Sequence, residues 1–283
     1  MKVIRSITQI RRFTQGQDRR RKKIGLVPTM GFLHEGHLSL MRRARAECDI
    51  VISSIFVNPT QFGPREDFKK YPRDFRRDRQ LAQACGVDVL FSPRPEDMYP
   101  AGSATSVCVE GLSSRLCGSF RPGHFRGVAT VVMKFFHIIE PDRAYFGWKD
   151  AQQVLVIKRM VQDLNMPITI RALPTVREVD GLALSSRNTY LSRRQRDEAP
   201  VLYASLQRAK GMIQSGTKES RSIVGAMKRF IGEHSSARIQ YIELVDMKEL
   251  KPVSRIKKGM ILIALAAFFG QTRLIDNIRI RCS

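Results

Sequence analysis

Hydrophobic and polar positions follow two alternating patterns along the first 176 residues. Segments 24–27 and 50–57 are nearly unbroken apolar runs, as expected of parallel strands that are buried on both faces. Segments 38–47 and 128–139 repeat their apolar positions with helical spacing. Strands that alternate with helices predict an α/β fold, here a Rossmann-like parallel sheet with helices on both faces.

The pattern changes near residue 190. Ser192 is expected to cap a helix that runs through residue 209, and a second helix is predicted over residues 220–233. Three segments with strand character follow, at residues 239–245, 260–268 and 272–280. We therefore expect a Rossmann-like domain over residues 1–176 and a smaller C-terminal α+β domain over residues 177–283.

The charge of the chain suggests an anionic partner. Its 283 residues include 49 Lys and Arg against 26 Asp and Glu, which gives a formal net charge of +23. Nucleic acid, an anionic membrane surface and anionic small substrates all fit such an excess. The basic residues are scattered, however, and few aromatic residues lie among them, which argues against nucleic acid. A basic nucleic-acid-binding protein is kept as an alternative.

The cysteines and the apolar runs indicate the cellular compartment in which the protein is expected. The five cysteines form no C-x-x-C pair, a pattern typical of reduced cytoplasmic proteins, and they predict no zinc site. Met1 leads into charged sequence, and the longest apolar run, residues 260–269, is too short to span a bilayer. We expect a cytoplasmic protein without membrane contact. Since G-x-G-x-x-G is missing, neither NAD nor flavin is expected as a cofactor.

The main candidate site follows the first buried strand. Residues 27–40 read V-P-T-M-G-F-L-H-E-G-H-L-S-L, so a turn leads to His34 and His37 at or next to the start of a helix. Backbone N–H groups and the positive end of the helix dipole favour anions there, and two imidazoles could donate hydrogen bonds to a phosphate. The residues alone leave a second interpretation open, a helix start with two solvated histidines.

This stretch resembles the signature of the pantothenate synthetase family, a member of the H-x-G-H nucleotidyltransferase superfamily. Four further segments resemble motifs of that family: N-P-T-Q-F at 58–62, F-G-W-K-D-A-Q-Q at 146–153, D-G-L-A-L-S-S-R-N at 180–188 and T-R-L-I-D-N at 272–277. Trp148 stands where the family often has a polar residue, and Leu184 replaces its usual Met. The resemblance therefore extends over almost the whole chain.

The resemblance implies an ATP-dependent condensation of (R)-pantoate with β-alanine to pantothenate, AMP and pyrophosphate, through an enzyme-bound pantoyl adenylate. It also implies Mg²⁺ with ATP, a C-terminal domain that closes over the active site, and a homodimer. Another H-x-G-H nucleotidyltransferase, acting on a phosphorylated acceptor, is the alternative. The N-P-T-Q-F motif and the paired glutamines argue against it, because they suit an uncharged polyol acid.

The resemblance assigns roles to individual residues. The expected catalytic residues are His37, His34, Lys149, Ser185, Ser186 and Arg187. The expected ATP-binding residues are Met30, His34, His37, Gly147, Trp148, Lys149, Asp150, Val176, Leu184, Ser185, Ser186 and Arg187. Gln61 and Gln153 are expected to bind pantoate and β-alanine.

Two more charged segments are candidates with weaker support. Segment 65–79 is expected to be a mobile loop that leads into a helix, on which Asp78 lies either near a metal–phosphate complex or on a solvated face. Arg121, His124 and Arg126, just ahead of the helix predicted at 128–139, could gather anions.

Overall fold

The structure is a computed structural model that describes residues 1–64 and 66–282. The chain divides into two compact units. Unit 1 contains residues 1–113, 121–148 and 153–174, and unit 2 contains residues 114–120, 149–152 and those from 175 onward.

Unit 1 contains a six-stranded parallel sheet, which confirms the predicted α/β fold. Its strands are β1 (Lys2–Ile4), β2 (Ile24–Thr29), β3 (Ile50–Ile55), β4 (Val89–Phe91), β5 (Arg143–Gly147) and β6 (Thr169–Leu173), in the spatial order β1-β4-β3-β2-β5-β6. After β2, the chain first adds β3 on one side of β2, and it later adds β5 on the other side of β2. A crevice forms at such a reversal, outside the carboxyl ends of the strands.

Ten α-helices accompany the strands in the described residues. They are α1 (Ile7–Gln15), α2 (Glu35–Glu47), α3 (Phe75–Ala84), α4 (Pro95–Met98), α5 (Cys117–Phe120), α6 (His124–Ile139), α7 (Ala151–Asp163), α8 (Arg193–Glu198), α9 (Val201–Gln214) and α10 (Ser220–His234). Short 3₁₀ helices lie at Pro59–Gln61, Leu112–Ser114, Trp148–Asp150 and Ser186–Tyr190.

Helices cover both faces of the parallel sheet, as the two neighbouring residues Leu90 and Phe91 of β4 show. Successive side chains of a strand point to opposite faces. Leu90 belongs to an apolar cluster with Met41 of α2 and Ala82 of α3. The ring of Phe91 instead meets Phe135 of α6 edge to face, with 6.2 Å between the ring centroids.

Unit 2 contains an antiparallel sheet of three strands, β7 (Arg238–Asp246), β8 (Gly259–Phe269) and β9 (Thr272–Cys282), in sequential order. Apolar residues of α9 and α10 form one buried cluster with residues of this sheet. All three predicted strands are confirmed to within two residues at each end.

Two predicted helices differ from the observed ones. The single helix expected from Ser192 through residue 209 is wrong: α8 ends at Glu198 and α9 begins at Val201, with Pro200 between them. Proline has no N–H to donate within a helix, which explains the break. Helix α6 begins at His124, four residues before the predicted start. The loop predicted from residue 65 starts at a position outside the described residues.

The carboxylate of Glu47, at the end of α2, ties this helix to β5 and β6. It accepts hydrogen bonds from Arg171 (Nη2 2.8 Å and Nε 3.0 Å), from the Tyr145 hydroxyl (3.0 Å) and from Arg143 (3.3 Å). Its side chain is only 12% exposed. The hydrogen bond from Arg171, opposed by burial and supported by the one from Arg43, lowers the pKa of Glu47 from 4.5 to about 2.

We predict that Glu47→Gln lowers the free energy of unfolding at pH 7 by on the order of 1–3 kcal/mol, the range for a hydrogen-bonded charge. Because the folded pKa is depressed, the stabilisation is complete above the unfolded value of 4.5 and is lost as the pH falls toward 2. Urea unfolding at pH 7 and at lower pH measures this. An equal loss at every pH would contradict it, and Glu233→Gln, on the exposed side of α10, is the control.

We predict that Gly127→Ala destabilises the protein, although alanine is the better helix former by about 0.5–1 kcal/mol. A Cβ at this position of α6 would overlap the Thr60 carbonyl and lie 2.7 Å from the Gln61 nitrogen. The control is Gly211→Ala in α9, where a Cβ meets nothing within 4 Å and should stabilise. Thermal unfolding measures both variants, and a gain in both would contradict the prediction.

Candidate active site

The turn between β2 and α2 has an unusual backbone conformation. Gly31 and Phe32 both have positive φ, at 82° and 50°, a region that is unfavourable for a residue with a side chain. Asp78 of α3 holds this turn, because its two carboxylate oxygens accept hydrogen bonds from the N–H groups of Phe32 and Leu33, both at 2.7 Å. The residue before His34 is therefore fixed by a carboxylate 45 positions further along the chain.

Asp78 does not lie on a solvated helix face. It is 1% exposed, and burial raises the pKa of its carboxyl even though the two N–H groups work in the opposite direction. Within the described residues, no three His, Cys, Asp or Glu side chains are grouped in a way that could hold a metal ion. The carboxylate thus acts on the backbone of the turn.

Helix α2 begins directly after this turn, with His34 as its N-cap residue. The His37 Nδ1 accepts a hydrogen bond from the His34 backbone N–H at 3.3 Å. A neutral imidazole with an accepting Nδ1 carries its proton on Nε2. The two rings lie 4.0 Å apart between centroids. A Cβ at residue 36 would come within 2.9 Å of the His34 ring and would displace it, so the glycine allows the ring its present position.

The turn after β3 holds Gln61. Asn58, which is 1% exposed, donates from Nδ2 to the Gln61 Oε1 (3.1 Å) and to the Gly127 carbonyl (3.1 Å). The Gln61 Nε2 lies 3.2 Å from the Met30 sulfur. The structure therefore brings together two predicted site residues, Met30 and Gln61. Asn58 was not predicted, although an Asn between a buried strand and a Pro is a signal for a capped turn.

The predicted segment F-G-W-K-D-A-Q-Q, residues 146–153, begins at the end of β5. A Cβ on Gly147 would meet nothing within 4 Å, so a ligand has room beside this backbone. Trp148 is 6% exposed and packs under Lys158, whose Nζ lies 5.5 Å from the indole centroid. Its indole is thus largely shielded from solvent. Gln153 is half-buried in the first turn of α7.

Lys149 and Asp150 belong to unit 2. The Lys149 carbonyl accepts a hydrogen bond from the Asn277 Nδ2 at 3.0 Å, and its ammonium lies 3.7 Å from the Asp150 carboxylate. The adjacent Gln152 is buried; it accepts from the Cys117 N–H (3.0 Å) and donates to the Arg115 carbonyl (2.6 Å). Gln152 therefore has a structural role: its side chain holds the backbone at Arg115 and Cys117 in place.

A hairpin in unit 2 brings Val176 and Leu184 together, since the Leu184 N–H donates to the Val176 carbonyl at 3.1 Å. Arg177, on this hairpin, forms two hydrogen bonds with the Asp276 carboxylate, at 2.6 and 2.8 Å. Asp276 is 4% exposed, and burial raises its pKa although Arg177 works in the opposite direction. The T-R-L-I-D-N motif thus supports two predicted segments, through Asp276 and Asn277.

The S-S-R segment follows the hairpin. Ser185 caps the 3₁₀ helix Ser186–Tyr190, and its hydroxyl accepts a hydrogen bond from the Arg187 N–H at 3.2 Å. Ser186 is buried, whereas Ser185 and Arg187 are half-buried. Hydroxyls and a guanidinium at the start of a helical turn are suited to bind phosphate oxygens.

The predicted site residues therefore fall into two sets. Unit 1 carries Met30, His34, His37, Gln61, Gly147, Trp148 and Gln153. Unit 2 carries Lys149, Asp150, Val176, Leu184, Ser185, Ser186 and Arg187. None of the helices in the described part of the chain combines the length and the apolarity that crossing a bilayer requires.

Comparisons with known proteins identify the family to which the chain is similar. A family model described as pantoate-beta-alanine ligase matches residues 2–279. A pantothenate synthetase from Moorella thermoacetica is 56% identical over 278 residues, 98% of each chain. One from Thermosipho melanesiensis is 54% identical over 278 residues, 98% of this chain and 99% of the relative.

Solved structures give the same result. The pantothenate synthetase of Thermus thermophilus has a TM-score of 0.92 and 46% identity, covering 98% of this chain and 99% of that one. The pantoate-beta-alanine ligase of Francisella tularensis, crystallised with beta-gamma ATP and beta-alanine, has a TM-score of 0.81 and 36% identity, covering 98% and 97%. On these matches, the chain belongs to the pantoate-beta-alanine ligase family.

Proposed function

We propose that this protein condenses (R)-pantoate with β-alanine in an ATP-dependent reaction that yields pantothenate, AMP and pyrophosphate. The observation that carries the proposal is the H-x-G-H turn, in which Asp78 fixes the backbone and His37 is held with its proton on Nε2. Family membership over residues 2–279 supports the substrates, and the beta-gamma ATP and beta-alanine bound by the Francisella relative agree with them.

In the first step, the pantoate carboxylate attacks the α-phosphorus of ATP, the bond to the β-phosphate oxygen breaks, and pyrophosphate leaves. The protein supplies no nucleophile here; it has to orient the reactants and stabilise the charge that moves to the leaving group. We assign that task to His34 and His37, at the amino end of α2, where the helix dipole adds to their hydrogen bonds. His37 is the expected proton donor.

The residues of unit 2 are assigned to the nucleotide. We propose that Lys149, Ser185, Ser186 and Arg187 bind the β- and γ-phosphates. The expected lining of the nucleotide site consists of Met30, Gly147, Trp148, Asp150, Val176 and Leu184. The exchange of Met for Leu184 conserves volume and should have little effect. The burial of Trp148 supports contact with the nucleotide through its backbone.

Gln61 and Gln153 are proposed to orient pantoate. An amide has one acceptor and two donors, which suits a ligand with both hydroxyl and carboxylate groups. In the second step, the β-alanine amine attacks the carbonyl of pantoyl adenylate, the acyl–phosphate bond breaks and AMP leaves.

Mg²⁺ is proposed to accompany ATP, bound largely by phosphate oxygens and water, as is usual for this ion. When bound, it would neutralise part of the phosphate charge. Asp78 does not fit as its ligand, because both of its oxygens accept backbone N–H groups and the residue is 1% exposed.

The remaining proposals concern the state of the protein. We propose a cytoplasmic homodimer whose C-terminal domain, residues 177–283, closes over the active site during the reaction. The five free cysteines support a reducing compartment.

We predict that the protein, given ATP and Mg²⁺, releases pyrophosphate over many turnovers only when pantoate and β-alanine are both present. Pantoate alone should release at most one equivalent per enzyme, because the adenylate stays bound, and β-alanine alone should release none. A coupled pyrophosphate assay measures all three. Multiple turnovers with one substrate, or no release with both, would contradict the proposed function.

The same assay tests the role of the turn. His37→Ala should slow adenylate formation by at least ~10²-fold, the scale for losing a positioned acid or an oxyanion donor. The matched control is His137→Ala, an exposed histidine of α6, which should react like the wild type.

A further inference from the structure

Two members of the basic cluster predicted at Arg121, His124 and Arg126 have partners inside the protein. Arg121 forms a two-pronged ion pair with Glu66, at 2.6 and 2.5 Å. Both side chains are largely buried, with 15% and 25% exposure. Burial raises the pKa of Glu66, but the hydrogen bonds and charge of Arg121 outweigh it, and the net shift is downward. The guanidinium charge is thus largely satisfied within the protein.

His124 continues this chain of contacts. Its Nε2 lies 3.0 Å from the Arg121 Nη1, and its Nδ1 lies 2.8 Å from the Gln61 carbonyl oxygen. A guanidinium can only donate, so the His124 Nε2 must accept. The neutral ring then carries its proton on Nδ1, which donates to the Gln61 carbonyl. The direction of every hydrogen bond from Glu66 to Gln61 is therefore fixed.

Gln61 is held at its backbone as well as at its side chain. Besides His124, the Arg121 Nη2 points to the Gln61 carbonyl, at 3.4 Å. On the other side, Asn58 donates to the Gln61 Oε1 (3.1 Å). The amide nitrogen contacts the Met30 sulfur, a weak acceptor that a carboxylate or hydroxyl of a ligand can replace. The chain of contacts thus ends at the residue proposed to orient pantoate.

We propose that Glu66, Arg121 and His124 are positioning residues, which fix the Gln61 backbone and thereby aim its side-chain amide at pantoate. This inference rests on the proposed function, because it needs Gln61 to bind that substrate. It gives the segment R-P-G-H, residues 121–124, a role that the sequence left open. Its anionic partner is Glu66 of the same chain, and its effect falls on pantoate rather than on ATP.

Two variants of one residue separate this role from a general contribution to stability. In His124→Asn, the side-chain nitrogen can occupy the place of Nδ1, so the donor to the Gln61 carbonyl is kept. In His124→Gln, the amide extends toward the place of Nε2, so the acceptor for Arg121 is kept and the donor to Gln61 is lost. Both variants replace the ring by a neutral amide, and each therefore controls for the other.

We expect the KM for pantoate to rise about tenfold in His124→Gln, the scale of one hydrogen bond lost to a positioned group. In His124→Asn it should stay near the wild-type value. The KM for ATP should change little in both, and circular dichroism with thermal unfolding verifies that both are folded. The measurement is pyrophosphate release with each substrate varied in turn.

The outcomes distinguish the two proposals. If Asn and Gln impair pantoate use equally, or if the KM values for ATP and pantoate rise together, the positioning role is overturned while the proposed function stands. If the wild-type protein shows no pantoate-dependent release, the proposed function fails, and the positioning role fails with it.

Discussion

The hydrogen bonds from the Phe32 and Leu33 N–H groups to the Asp78 carboxylate are the constraint on which the rest of the site depends. Without them, a turn with positive φ at Phe32 would carry a cost of roughly 1–2 kcal/mol. The two hydrogen bonds to the buried carboxylate act against that cost and hold the turn in this conformation. The turn sets where α2 begins. The start of α2 places His34 as the cap, so that its N–H fixes the protonated nitrogen of His37.

The same principle recurs around other predicted site residues, which are held by buried polar side chains. Asn58 holds Gln61, Asn277 holds the Lys149 backbone, and Asp276 holds Arg177 beside the S-S-R segment. A buried polar group without a partner costs about 1–3 kcal/mol, so these contacts also specify a single arrangement. Both units therefore carry proposed substrate-binding residues on a backbone that buried polar side chains hold.

Periodicity and turn chemistry predicted the fold well, because buried parallel strands and amphipathic helices leave a local pattern. The apolar run at 50–57 contains β3, and the three C-terminal strands lie where they were expected. The helix break at Pro200 also has a local cause, but the residues on both sides of Pro200 have a helical pattern, which hides the break in the sequence. The motifs identified the candidate residues, but their supports depend on pairs such as Phe32 with Asp78, which are 46 positions apart. Such pairs leave no periodic signal, and for this reason the sequence did not predict the role of Asp78 or of Asn58.

The most direct test of this account is the single-turnover rate of pyrophosphate release from ATP and pantoate in Asp78→Asn. The substitution keeps the size of the side chain but turns an NH₂ group toward one of the two backbone N–H donors. A misplaced turn should slow adenylate formation by about 10²-fold, the usual result of a small misalignment of catalytic groups. The variant should remain folded by circular dichroism. A folded variant with the wild-type rate would contradict the claim that Asp78 positions the two histidines proposed to be catalytic.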